Sequence, residues 1–395
     1  MGPNPFLGVL FHWTGGLAAA SFYIPYRLVK KWSWETYWLA GGVFSWIIAP
    51  LTFAWLLVPN LVATLRAAPA ASLFWAWLFG ALWGLGGLTF GLTMRYLGIA
   101  LGMAVALGYC AAFGTLMPPV FSGEIGQIAD STPGRVILLG VAVCVAGIAA
   151  SGMAGVSKEQ ELSPEQKQAA IKEFSFGKGM LVATFSGVMS SCFAYGLAAG
   201  KPIADLGRTH LLQHGRADLW QNLPVLVVVL LGGFTTNFIW CVILNIKNRT
   251  GHEYLNLRKT AVAEVSATEA VVPWDADDLA GTVTESAAPG VPANPWRLAG
   301  SAPLLNNYIF SAIAGITWYL QFFFYGMGQT RMGPYEFSSW TMHMASIIIF
   351  STLWGVALRE WKGTSKKTHV LIAIGLAMLI GSTILVGYGN FLKLA

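Results

Sequence analysis

Apolar residues run through this chain in ten long blocks, each too long and too poor in charge to be an ordinary core helix. A helix that crosses a bilayer needs roughly 20 mainly apolar residues. Segments 5–26, 37–58, 72–92, 96–120, 135–156, 177–200, 223–246, 306–327, 335–358 and 368–390 meet that requirement. The pattern predicts an all-α integral membrane protein with ten transmembrane helices. Only Thr93, Met94 and Arg95 break the run between the third and fourth segments, and Gly84, Gly86, Gly87, Gly91 and Gly98 offer small surfaces there, so these two helices are expected to form a tight hairpin.

The polar stretches are short, with one exception. Residues 247–305 form a loop whose middle is rich in Ala, Pro and acid and follows no helical or strand period. It reads as a disordered insertion, with a short helix expected near Asn256–Val265.

Composition agrees with this class: of 395 residues, 55% are hydrophobic and 11% charged. The net charge of +6 suggests nucleic acid only until the basic residues are placed. They lie in clusters between apolar runs, and 17 of the 24 Lys and Arg residues follow the odd-numbered helices. By the positive-inside rule those loops are cytoplasmic and both termini face the periplasm. No nucleic-acid partner is expected; the partner implied by composition is the lipid bilayer. Cys110, Cys144, Cys192 and Cys241 each sit inside an apolar run without metal-ligand spacing, so they are read as packing residues. The first run lacks the basic leader of a secretory signal and reads as a retained helix.

The halves of the chain echo each other. A shift of 171 aligns Gly8, Gly16 and Phe22 with Gly179, Gly187 and Phe193, and a shift of 235 aligns Trp83, Gly91 and Gly98 with Trp318, Gly326 and Gly333. Five helices repeated once enter the membrane in opposite senses, which is the inverted-repeat plan of secondary transporters. The expected organisation is a first five-helix repeat over 1–156, a cytoplasmic linker over 157–176, and a second repeat over 177–395 that carries the 247–305 insertion.

Chemistry concentrates between Thr317 and Ala345, where nine aromatic residues surround Gln321, Gln329, Arg331, Glu336 and His343. At 100° per residue, Trp318, Gln321 and Tyr325 share one helix face, and Glu336, Trp340 and His343 share a face of the next. Ionisable side chains are costly in a bilayer and turn toward a cavity or a partner. The competing reading is that Glu336 pairs with Arg331 at the membrane surface, amid a belt of interfacial aromatics. On the first helix, His12, Gly16, Ala19 and Tyr23 share a face, and His12 has Ala183 as its counterpart in the second copy. His and Glu titrate near about 6.5 and about 4.3 in model peptides, within reach of a proton-coupled cycle. No G-x-x-x-x-G-K-[ST] loop, H-E-x-x-H or nucleophile elbow occurs, so neither ATP-driven transport nor an intramembrane enzyme has support, and no cofactor is expected.

FYIPYRLVKKWSWET at 22–36, FGALWGLGGLTFGLTMRYLG at 79–98, GKGM at the start of the sixth run with AAGKP at 198–202, WYLQFFFYGMG and YEFSSWTMHM carry a resemblance to a known family. The chain resembles the bacterial L-rhamnose/proton symporters of the drug/metabolite transporter superfamily, along nearly its whole length outside the insertion. The resemblance implies ten helices, the bacterial inner membrane and import of a 6-deoxyhexose with a proton. His12 and His343 fit the family pattern. Glu336 stands where the family has an Asp, which keeps the charge and lengthens its reach; GLGGLTF is less polar than the corresponding segment of rhamnose carriers and Gln329 replaces a His, two departures that bear on which monosaccharide is taken. The expected mechanism is alternating access around a sugar site of Tyr23, Trp318, Tyr319, Gln321, Tyr325 and Trp340, with Glu336 as proton carrier and His343 and His12 as modulators or alternates. Lys201 and Glu35, at helix ends, read as interfacial anchors. The alternatives are a metabolite or drug exporter of the same superfamily and a membrane sensor that binds a sugar without moving it.

Overall fold

A computed structural model describes residues 2–161, 175–255 and 302–394. The middle of the predicted insertion, the short helix expected within it and residues 162–174 of the predicted linker lie outside the described residues. Among the described residues, ten helices are long and apolar enough to cross a membrane: α1 (Pro5–Tyr26), α2 (Trp34–Leu57), α3 (Ala70–Leu97), α4 (Leu101–Phe121), α5 (Thr132–Gln160), α6 (Phe176–Ala199), α7 (Asp218–Asn248), α8 (Leu304–Gln329), α9 (Gly333–Ala357) and α10 (Lys366–Leu394). The protein is a multi-pass, all-helical membrane protein, and no strand occurs among the described residues.

The helices overrun the apolar blocks because polar side chains finish their ends. Asn4 accepts a hydrogen bond from the Leu7 amide and Pro5 fills the first turn of α1, while Ser131 does the same for Gly134 at the start of α5. Two other helix starts are capped from a distance. Glu253 accepts from the Ser33 amide at 2.7 Å and hydroxyl at 2.9 Å before α2. Glu161 accepts from the Ser365 amide at 2.8 Å, from its hydroxyl at 2.6 Å and from the Thr368 hydroxyl at 2.8 Å at the start of α10. These hydrogen bonds, those from Ser365 foremost, hold the Glu161 carboxyl below its ordinary value. A carboxylate in this position also opposes the positive end of the helix dipole.

Glu35 is buried and accepts from Asn248 at 3.0 Å and Thr250 at 2.8 Å, so it ties α2 to the end of α7. The first residues of the predicted insertion belong to this joint, since a 3-10 turn at Gly251–Leu255 follows α7 and carries Glu253.

In the bundle, α1 packs on α8 and α9, α6 on α3 and α4, α3 on α7, α8 on α2, and α5 on α10. Glycines permit the closest crossings. The backbones of α2 and α8 meet at Gly41 and Gly315, and those of α3 and α7 meet at Gly80 and Gly232, where an added Cβ would strike a carbonyl of the other helix. In a membrane such backbone approach replaces the hydrophobic drive as the source of cohesion. Gly315→Ala is therefore expected to destabilise the bundle by about 1–3 kcal/mol, read as a lower melting temperature in detergent.

The glycines of α3 serve more partners than the predicted hairpin. Gly84 packs on Thr236 and Asn237 of α7, and Gly86 on Ser190 of α6. The turn into α4 is made by Gly98 at φ 82°, and that into α9 by Gly333 at φ 74°. Left-handed backbone of this kind is open to glycine without strain.

An amphipathic helix at Lys201–Gln213 was not visible as an apolar run. Its buried residues Ile203, Gly207 and Leu211 recur every four positions, with Pro202 in the first turn. That spacing is the available signal. His210 meets the Thr64 hydroxyl at 2.7 Å and joins this helix to another short one, Leu61–Ala67.

Candidate functional site

A cavity of about 390 Å³ runs from Trp340 and His343 in the interior to Arg27 and Glu360 at the end of the bundle that carries the basic loops. This volume lies within the range of small-molecule sites. Its walls are rich in aromatic side chains because several helices turn Trp or Phe inward. A π-helical turn at Phe44–Ile48 directs Trp46 into the core. Such turns recur at functional sites because the extra residue re-aims a side chain. Trp46 meets Trp318 edge-on with ring centres 5.4 Å apart, and Trp318 stacks on Trp83 at 5.5 Å and 26°. The Trp38 indole donates to Asn237 at 3.1 Å, and the Asn237 amide donates to the Gly233 carbonyl at 2.9 Å.

Polar groups on the α8 and α9 side are few and unsatisfied. Gln321 is 5% exposed and lines the cavity, and its side-chain amide makes no hydrogen bond to another described residue. His343 also lines it, is 1% exposed, and neither ring nitrogen has a partner among the described residues. Buried polar atoms are normally hydrogen-bonded, so the His343 imidazole, buried without a partner among the described residues, and the Gln321 amide, open to the same cavity, are groups poised for a ligand. At the mouth, Arg27 and Glu360 approach to 3.8 Å. Burial raises the Glu360 carboxyl above its ordinary value, and Lys158 and Arg27 partly offset this.

Beyond His343 the bundle is closed. Tyr325 stands between His12 and His343, edge-on to both, with ring centres at 5.3 and 5.2 Å. His12 is fully buried, its ring packed on Gly328, and neither nitrogen has a partner among the described residues. Trp340 donates to the Cys110 carbonyl at 3.0 Å and stacks on Phe193 at 5.6 Å, which fixes its plane.

Polar links between helix ends lie at the far end of the bundle. Arg331 meets Asp218 at 2.8 Å, with side-chain exposures of 1% and 17%. Asn222 donates to the Gly326 carbonyl and to Gln329, each at 3.1 Å. Lys201 meets Glu336 at 3.6 Å, the two side chains 62% and 45% exposed.

Of the residues predicted from sequence, Tyr23, Trp318, Gln321, Trp340 and His343 come together around the cavity. Tyr325 and His12 form the layer that closes it. Tyr319 is buried on the opposite side of α8 against Phe53 and Phe323. Glu336 lies in a 3-10 turn, Gly333–Ser338, ahead of the α-helix that begins at Ser339, so it does not continue the stripe of Trp340 and His343. The suggested Arg331–Glu336 pair is replaced by the Arg331–Asp218 and Glu336–Lys201 pairs.

The family described as L-rhamnose-proton symport protein matches residues 1–261 and 297–391. The chain belongs to this family. Curated L-rhamnose-proton symporters of Yersinia pestis (strain Pestoides F) and Cronobacter sakazakii (strain ATCC BAA-894) are each 33% identical to it over 384 residues, 97% of either chain. These relatives are named as transporters, not enzymes. Residues 262–296 fall outside the family match and coincide with the core of the predicted insertion. Within this symporter chain, sequence reasoning missed Asn237 and the Asp218–Arg331 pair. Both partners of each contact are far apart in sequence, and the available signal was an Asn or Asp in or beside an apolar run.

Proposed function

We propose that the chain imports L-rhamnose or a related 6-deoxyhexose together with a proton, by alternating access between two inverted five-helix repeats. The observation that carries this reading is the cavity, in which aromatic and glycine surface faces the open Gln321 amide and the unpartnered His343 imidazole. A 6-deoxyhexose combines a methyl group with several hydroxyls, and such a site offers surface for the one and hydrogen bonds for the other. The names of the relatives support the same substrate and the same coupling ion.

Repeated contacts support the duplication. Gly8 packs on Met332 and Gly179 on Leu97, while Gly16 packs on α9 and Gly187 on α4. Met332 and Leu97 are themselves 235 positions apart, as are Gly315 and Gly80 at the two tightest crossings. Phe22 meets Trp318 edge-on at 6.2 Å, and its counterpart Phe193 meets Trp83 at 5.1 Å. Gly98 and Gly333 occupy matching turns with positive φ.

The charge asymmetry of the loops supports a bacterial inner-membrane protein with both termini periplasmic. In that orientation the cavity opens to the cytoplasm, and the Lys201–Glu336 pair lies on the periplasmic side. Glu336 is the proposed carrier, loaded from that side, with His343 as its partner in the cavity and His12 behind Tyr325 as a modulator. Closure around sugar and proton together would follow neutralisation of the carboxylate.

Radiolabelled L-rhamnose uptake into proteoliposomes, with and without an inward proton gradient, tests the proposal. Gradient-dependent accumulation, competed by unlabelled L-rhamnose more strongly than by fucose or mannose, is expected. Folded protein that accumulates none of these sugars, but drives counterflow outward, would replace the import reading with export.

A further inference from the structure

The two walls of the cavity differ in chemistry. Gln321, His343 and Ser351 on α8 and α9, with Ser190 on α6 and Asn237 on α7, bring hydrogen-bonding side chains to it, whereas beyond Trp83 the α3 and α4 residues Gly87, Leu88, Phe90, Gly91, Met103 and Leu107 bring none. Gly87 differs from Gly84 and Gly355, which also line the cavity, in its surroundings. Gly84 is packed against α7, but a Cβ built at Gly87 meets no atom within 4 Å. Gly87 lies one helical turn from Trp83, whose ring stacks on Trp318, so the two positions share a face of α3. The missing side chain leaves a niche beside the tryptophan platform, on the apolar wall and opposite the groups that await hydroxyls.

We infer that Gly87 is a specificity-determining position, and that the space left by its absent side chain receives the C6 methyl end of the sugar while Gln321 and His343 take the hydroxyl side. This rests on the proposal that the substrate is a 6-deoxyhexose. Orientation is set by the cavity itself, because a hydroxyl turned toward the apolar side chains of Leu88, Phe90, Met103 and Leu107 would lose its water and find no side-chain partner among them. The methyl group turned toward Gln321 would leave that amide buried without a hydrogen bond. A side chain at position 87 would meet the ligand before it met the protein.

The test uses L-lyxose, which is L-rhamnose without the C6 methyl. Uptake of both sugars is measured in proteoliposomes for the wild type, Gly87→Ala and Gly108→Ala. Gly108 is a matched control: it too has nothing within 4 Å of a built Cβ, yet it does not line the cavity. A methyl-sized change in an apolar pocket alters discrimination about tenfold or more. Gly87→Ala is expected to lower the rhamnose-to-lyxose ratio of uptake efficiency about tenfold, with lyxose uptake and melting temperature retained, and Gly108→Ala to leave the ratio unchanged. Gly87→Ser, measured alongside, is expected to shift the ratio in the same direction. A ratio unaltered in both position-87 variants, with the wild type active, overturns the inference alone. Wild-type vesicles that take up neither sugar overturn the substrate reading and the inference with it.

Discussion

Glu336→Gln is expected to reduce proton-driven accumulation of sugar to the level seen without a gradient, while exchange of labelled for unlabelled sugar continues. Glutamine keeps the size and much of the hydrogen bonding of glutamate but cannot bind and release a proton, so coupling is lost and binding is kept. Lys201→Met separates this role from that of a surface ion pair, because Lys201 meets Glu336 at 3.6 Å and both side chains are well exposed. Exposed pairs contribute at most about 1 kcal/mol, so that variant should keep accumulation. Wild-type accumulation in Glu336→Gln would remove the carrier assignment. Loss of accumulation in His343→Gln instead would move it to the imidazole in the cavity.

Asp218→Ala should lower the thermal stability of the purified protein by roughly 3 kcal/mol, the low end of the cost of breaking a buried pair, because the Asp218 side chain keeps some access to solvent. The guanidinium of Arg331 is 1% exposed and meets Asp218 at 2.8 Å, so the substitution takes a counter-charge from a side chain that cannot reach water without moving. Arg331→Met combined with Asp218→Leu should recover most of the loss, since apolar groups of similar volume replace a buried pair with little penalty. Melting curves of the single and double variants in one detergent decide this. A single variant as stable as the wild type would show that the link is dispensable. The Arg331 carbonyl also accepts from the Asn4 amide at 2.9 Å, so this corner joins the start of α1 to the beginning of α7 and the turn between α8 and α9.

Much of the candidate site was legible because helical phase survives into the structure. Trp318 and Gln321 are three positions apart, as are Trp340 and His343, and all four line the cavity. The same rule misplaced Glu336 relative to His343, because it assumes α-helix throughout, whereas Glu336 lies in a 3-10 turn that ends at Ser338 and the α-helix carrying His343 begins only at Ser339. Tyr319 follows Trp318 and so turns about 100° away from it, against Phe53 and Phe323. Its aromatic character marked it as a candidate, but its phase assigned it to the packing.

The glycines show the same limit from another direction. Composition marked α3 as a surface for close approach, but which neighbour each glycine serves depends on which helix lies there. Gly86 meets α6, Gly84 meets α7, and Gly87 meets open space. Three glycines within four residues thus have three different roles, which local sequence cannot separate.

The sequence by itself determined the ten helices, the charge pattern of the loops, the family and the band of residues that holds the candidate site. Each follows from a local property: the length of an apolar run set by bilayer thickness, the spacing of polar residues along a helix, or a motif. Only the tertiary structure decided the pairs Asp218–Arg331 and Lys201–Glu336, the unpartnered state of the buried His343 imidazole, the opening of the Gln321 amide to the cavity, and the free space at Gly87. Those depend on contacts between helices far apart in the chain, where a shift of one helical turn exchanges one partner for another.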